Sequence, residues 1–120
     1  MAELVHLADR SDWLAAETAG EYRMSTRGVT LAEQGFIHCS LRYQLRAVAE
    51  RYYADADNLV LLVIDSERVA SPIRYEAAPD GLGTYPHIYG PLPVAAVAAV
   101  IPVRRDQEGR LLLPDLPGGY

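Results

Sequence analysis

Asn58-Leu-Val-Leu-Leu-Val-Ile-Asp65 is a near-continuous aliphatic run with a polar residue at each end. Such a run suits a central strand buried on both faces, because a strand with one wet face would alternate polar and apolar residues. Outward from it, Leu4-Val5-His6-Leu7 predicts a first strand, Ile73 to Ala77 another, and Ala96 to Val103 a late one. Tyr85 to Tyr89 reads as extended and Gly90-Pro-Leu-Pro93 as a rigid connection. Asp106 to Gly109 reads as a hairpin turn returning through Arg110 to Leu113.

Helical signals gather in the first half. Ser11 or Asp12 is placed to cap a helix that runs through Ala19 and stops at Gly20, with Trp13, Ala16 and Glu17 on one stripe. Thr30-Leu-Ala-Glu33 carries the capping-box pattern of a single turn ended by Gly35. Ser40 is placed to cap a helix from Leu41 to about Ala54, with Leu41, Leu45, Val48, Ala49 and Tyr52 at helical spacing. Glu21 to Arg27 is read as extended, and Pro79 to Gly83 as a loop. Helices early and strands late favour a single α+β domain over residues 1–113, with 114–120 as a loose tail.

Composition narrows the function classes. The chain has 120 residues, half of them hydrophobic and 22% charged, an ordinary globular balance. The 11 basic residues, all arginine, face 16 acidic ones for a formal charge of −5, which speaks against DNA as a partner. Without lysine there is no Schiff-base mechanism and no phosphate-loop lysine. The longest apolar stretch, Val94 to Ile101, falls well short of the roughly 20 residues that cross a bilayer. The opening MAELVHLADR does not read as a secretory signal. A lone Cys39 excludes an internal disulfide and a multi-thiolate zinc site. The expectation is a soluble cytoplasmic protein whose partner is a small molecule, with no DNA or membrane; the sequence assigns no oligomeric state.

Strand parity then sorts the chemistry-bearing side chains. Phe36 and His38 point one way while Ile37 and Cys39 point toward the core. Arg74 and Glu76 share a face, and Tyr85, His87 and Tyr89 fall together. Convergence of these faces would build a pocket from two imidazoles, a carboxylate, an arginine and phenols. His38, Glu76 and His87 are the candidate catalytic residues; His6, Ser40, Arg74, Tyr85 and Tyr89 are candidate binding residues. Each also has a structural reading. An imidazole readily bonds a backbone carbonyl, Ser40 suffices as a helix cap, and Arg74 with Glu76 suffices as a solvated pair. Cys39, just before a helix start, is a buried thiol or a nucleophile with His87 as its base. No histidines or carboxylates show a recognised metal-ligand spacing, so no metal site is expected.

Trp13, Gly35-Phe-Ile-His-Cys-Ser40, Gln44, Leu61-Leu-Val-Ile-Asp65, Ile73-Arg-Tyr-Glu76 and Tyr85-Pro-His-Ile-Tyr-Gly-Pro-Leu-Pro93 form an ordered series. Together they resemble the family called domain of unknown function 952 over roughly the first 105 residues. The resemblance implies a small α+β fold similar to that of ADP-ribosyltransferases, with split, mainly antiparallel sheets and two to three helices. In enzymes of that fold NAD lies in the cleft between the sheets, and by chain order His6, Ser40 and Glu76 would face it. The expected function is binding or processing of NAD, ADP-ribose or a related nucleotide, with NAD as a candidate substrate. A non-catalytic module using the Tyr85–Tyr89 segment is the alternative, and a Cys39-dependent enzyme a third reading.

Overall fold

A computed structural model describes residues 3–78, 81 and 83–114. β1 (Glu3–Asp9) runs straight into α1 (Arg10–Ala19); β2 (Glu21–Tyr22), β3 (Met24–Thr26) and β4 (Val29–Thr30) precede the single turn α2 (Leu31–Gln34). β5 (Ile37–His38), α3 (Leu45–Tyr52), β6 (Leu59–Asp65), β7 (Ile73–Ala77) and β8 (Thr84–Ile88) follow. β9 (Leu92–Pro93), β10 (Val97–Pro102) and the pair β11 (Arg104–Arg105) and β12 (Leu111–Leu112) complete the described chain. Residues 79, 80 and 82 of the expected loop and 115–120 of the expected tail lie outside the described residues.

The aliphatic run is the middle strand of an antiparallel sheet ordered β1-β6-β10. Leu59 to Ile64 are all buried, and parity divides them between two apolar layers. Val60, Leu62 and Ile64 pack with Leu4, Trp13, Tyr22, Ile37 and Cys39 on one side. Leu59, Leu61 and Val63 pack with Val5, Leu45, Val48, Tyr53 and Tyr85 on the other. Covering both faces explains the absence of alternation in the sequence of β6. A second antiparallel sheet, β5-β8-β7, is joined to the first where Val5 and Ser40 exchange both backbone hydrogen bonds at 2.8 Å. The α+β class and the split antiparallel sheets are therefore as expected.

Several local expectations are corrected. Asp9, not Ser11 or Asp12, is the N-cap of α1, because β1 pairs with β6 as far as Asp9 and the Arg10 amide donates to the Asn58 carbonyl. On α1 Trp13 and Ala16 are buried, but Glu17 is exposed. Ser40 caps no helix: the helical turn starts one residue later, with Leu41 at its N-cap, and Ser40 sits at the bridge to Val5. The chain enters α3 through a 3-10 turn at Arg42–Gln44, and the Gln44 side chain accepts from the Leu41 amide at 2.9 Å. The same side chain donates to the Thr84 carbonyl at 2.7 Å and so ties the helix entrance to β8. Leu45, Val48 and Ala49 face the core as expected, Leu41 is half-buried, and Tyr52 is exposed.

The capping box of α2 forms as read: Thr30 Oγ1 accepts from the Glu33 amide, and the Glu33 carboxylate from the Thr30 amide. Gly35 follows at φ 94°, a left-handed cap that a residue with a Cβ would occupy under strain. The supposed rigid connection contributes β9, where Leu92 is buried and pairs with Tyr22. Tyr85–Ile88 is extended as expected, and it forms the buried middle of the second sheet rather than an exposed binding segment. No helix among the described residues is long and apolar enough to cross a membrane.

Candidate functional site

β8 positions the centre of the site. Its pairing with β5 sets His38 opposite His87, and its pairing with β7 sets Arg74 opposite His87 and Glu76 opposite Tyr85. Strands so placed bring residues distant in sequence within hydrogen-bond reach. His87 Nδ1 lies 2.8 Å from Glu76 Oε1, and His87 Nε2 lies 3.0 Å from His38 Nδ1. The Tyr89 hydroxyl donates to the same carboxylate oxygen of Glu76. Phe36 stacks on the His87 ring at 4.0 Å and 17°, and Tyr85 meets the His38 ring edge-on at 5.2 Å.

Proton placement follows from these contacts. Hydrogen bonds from Tyr89 and then His87 hold the Glu76 carboxyl below the usual carboxylate range. The same contact raises the Tyr89 phenol. An ionised Glu76 only accepts, so His87 carries its proton on Nδ1. With both rings neutral, His38 Nδ1–H donates to His87 Nε2, which leaves the His38 lone pair on Nε2.

These groups wall one cavity of about 410 Å³, within the roughly 300–1,000 Å³ of small-molecule pockets. Ser25, Tyr53 and His87 are its buried walls; Phe36, His38 and Glu76 are half-buried; Gln34 and Tyr52 are exposed. Arg74 lies outside the lining, its guanidinium 4.9 Å from the centre of the Tyr89 ring, and so sits beside the mouth. A larger concavity of about 630 Å³ between α3 and the β11–β12 hairpin is rimmed by Arg46, Glu50, Glu108 and Arg110, all exposed. Charges of both signs on an open surface are the usual solvated pattern.

Over residues 7–100 the sequence matches the family described as Protein of unknown function (DUF952). The chain belongs to that family. It is similar to the crystal structure of protein CC0527 from Caulobacter crescentus at 30% identity and TM-score 0.79, over 92% of this chain and 94% of that one. The solution structure of CC0527 gives 31% identity and TM-score 0.75, over 92% and 91%. Among curated proteins none matches.

In this DUF952 chain His38, Glu76, His87 and Tyr89 are brought together, whereas the other expected site residues stand apart from the cavity lining. His6 is buried behind β5: its Nδ1–H donates to the His38 carbonyl at 2.7 Å, and its Nε2 accepts from the Tyr22 hydroxyl at 2.9 Å. Burial lowers its pKa to about 4. It buttresses the backbone of His38 and does not line the cavity. Ser40 is buried at the bridge between the sheets, and Tyr85 packs in the core behind His38. Cys39 is fully buried, and burial drives its thiol pKa far above the ordinary range, so a thiolate nucleophile is not available there. Among the described residues no cluster of His, Cys, Asp and Glu is set to hold a metal ion.

Sequence reasoning passed over Ser25, Thr26, Tyr52 and Tyr53, which all line the cavity. Tyr53 announces itself faintly, as an aromatic residue just past an amphipathic helix. Ser25 gives no such signal: the register between β3 and β4 shifts between Met24 and Thr26, and a bulge is not written in residue types.

Proposed function

We propose that the cavity is an acid–base site for a small molecule with a planar ring, in the class of NAD, ADP-ribose and related nucleotides. The hydrogen-bonded series Tyr89–Glu76–His87–His38 on the cavity wall carries this reading. A carboxylate that fixes the tautomer of one imidazole, which in turn fixes a second, equips the outer imidazole as a general base. After proton transfer the new charge is shared along hydrogen bonds toward Glu76. Phe36, Tyr52, Tyr53 and Tyr89 give the walls an aromatic character that suits a flat ring. Arg74 beside the mouth suits a phosphate that extends out of it. The ADP-ribosyltransferase-like fold that the family resemblance implies adds weight to the nucleotide class only as an analogy.

The test is thermal melting with NAD, ADP-ribose and simple nucleotides, followed by the same titration on His87→Ala and Glu76→Gln. A rise in Tm with at least one of them, weakened in both variants, is expected. No shift with any compound at millimolar concentration would refute the reading.

A further inference from the structure

We infer that the floor of the cavity recognises the amide edge of a neutral planar ring, through the hydroxyl of Ser25. This rests on the acid–base reading of the same cavity and names the part of the ligand that reaches deepest. Ser25 lines the cavity and is itself fully buried. Its Oγ is the one buried side-chain polar atom among the described residues without a hydrogen-bond partner. An unmet buried hydroxyl is costly, because it has given up its hydrogen bonds to water and gained none in return. A fold that satisfies its neighbours so fully has no structural reason to keep one there. Thr26 and Tyr53 are bonded to each other at 2.9 Å, and His38, His87 and Glu76 are joined in series.

The backbone places this hydroxyl by a specific device. Met24 pairs with Thr30 and Thr26 with Val29, so Ser25 is the extra residue of a β-bulge. A bulge of this kind re-aims a side chain and lets the consecutive Ser25 and Thr26 both reach the cavity, which a regular strand would forbid.

Charge selects the ligand group. Among the described residues no arginine lines the cavity and the chain has no lysine, while Glu76 already supplies a negative charge. A carboxylate or phosphate at the floor would be uncompensated, so the deep end must be neutral. A hydroxyl both donates and accepts, and an amide edge offers an acceptor and a donor on adjacent positions. The aromatic walls supply the faces for the ring that bears it. An exocyclic carboxamide and the lactam edge of a nucleobase share this chemistry.

The experiment follows NMR shifts of the full chain titrated with nicotinamide, uracil, nicotinic acid, pyridine and ribose, in wild type and in Ser25→Ala. Wild type is expected to bind nicotinamide or uracil more tightly than pyridine, nicotinate or ribose; which of the two binds better identifies the source of the amide. In Ser25→Ala the affinity for the amide ring should fall about five- to tenfold, the worth of one neutral hydrogen bond, with pyridine unchanged. The variant loses an unmet polar group and should melt no lower than wild type. Equal affinity for nicotinamide, uracil and pyridine, preference for nicotinate or ribose, no binding, or an unaltered Ser25→Ala would each overturn the inference. If NAD still raises Tm through His87 and Glu76 while Ser25→Ala changes nothing, the acid–base reading stands and the floor assignment alone fails.

Discussion

Acid should loosen this protein through His6 before most of its carboxylates are protonated. In the fold the imidazole is neutral, because burial lowers its pKa to about 4; only the bond to the His38 carbonyl works in the opposite direction before a smaller repulsion from His38 is added. In the unfolded chain its pKa is the ordinary 6.5. Above that value both states are neutral and no penalty exists. Between 6.5 and 4 the unfolded chain binds a proton that the native one refuses, so stability falls as pH falls. One proton gives a slope of about 1.4 kcal/mol per pH unit and a total of about 3 kcal/mol, a large share of the roughly 5–15 kcal/mol that holds a domain together. Urea unfolding at intervals from pH 7.5 to 4 measures the slope, and His6→Gln, if folded, should flatten it. NMR titration assigns it independently: of three histidine signals, that of His6 should move near pH 4. A His6 signal titrating near 6.5, or a stability flat from pH 6.5 to 5, would refute the reasoning.

Other consequences are more local. Gln44→Ala strands the Leu41 amide and removes the donor to Thr84, and should cost about 2–3 kcal/mol by urea unfolding without altering the tautomers of His38 and His87. Leu61→Ala opens a hole under a fully buried strand and should cost about 2–5 kcal/mol in the same assay. Cys39 should resist iodoacetamide at neutral pH in the native state and react only as urea unfolds the chain; prompt native labelling would contradict its burial. Glu76→Gln should let the Tyr89 phenol titrate at a lower pH, read by its absorbance, since the carboxylate is what holds its proton.

The parts of the fold that sequence made legible are those governed by nearest neighbours along the chain. The aliphatic run announces β6, Thr30 with Glu33 announces a capping box, and Gly20 and Gly35 announce helix ends, each through a physical requirement of a few adjacent residues. Parity also separated the cavity-facing His38 from the core-facing Ile37 and Cys39. What could not be read depends on pairing between segments. Ser40 looks like a cap until the turn is seen to start at Leu41, and Tyr85 looks like a ligand-binding ring until β5 and β7 flank β8 and bury it. His6 has the residue type of a site, but its fate is decided by Tyr22 and by a carbonyl 32 residues away. Ser25 reaches the cavity through a register shift that residue types do not encode.

The placement of the buried histidine explains why the wall of the cavity can be rigid on one side and chemically responsive on the other. β5 is only two residues long, too short to fix the His38 backbone by sheet pairing alone. Its carbonyl is held from behind by His6, and the chain beyond it by the Val5–Ser40 bridge and by the Cys39 amide donating to the Pro86 carbonyl at 3.0 Å. A neutral His6 suits that task, since a charged imidazole beside His38 would oppose any proton the outer ring gained. The low pKa of the inner histidine and the basicity asked of the outer one thus follow from one arrangement.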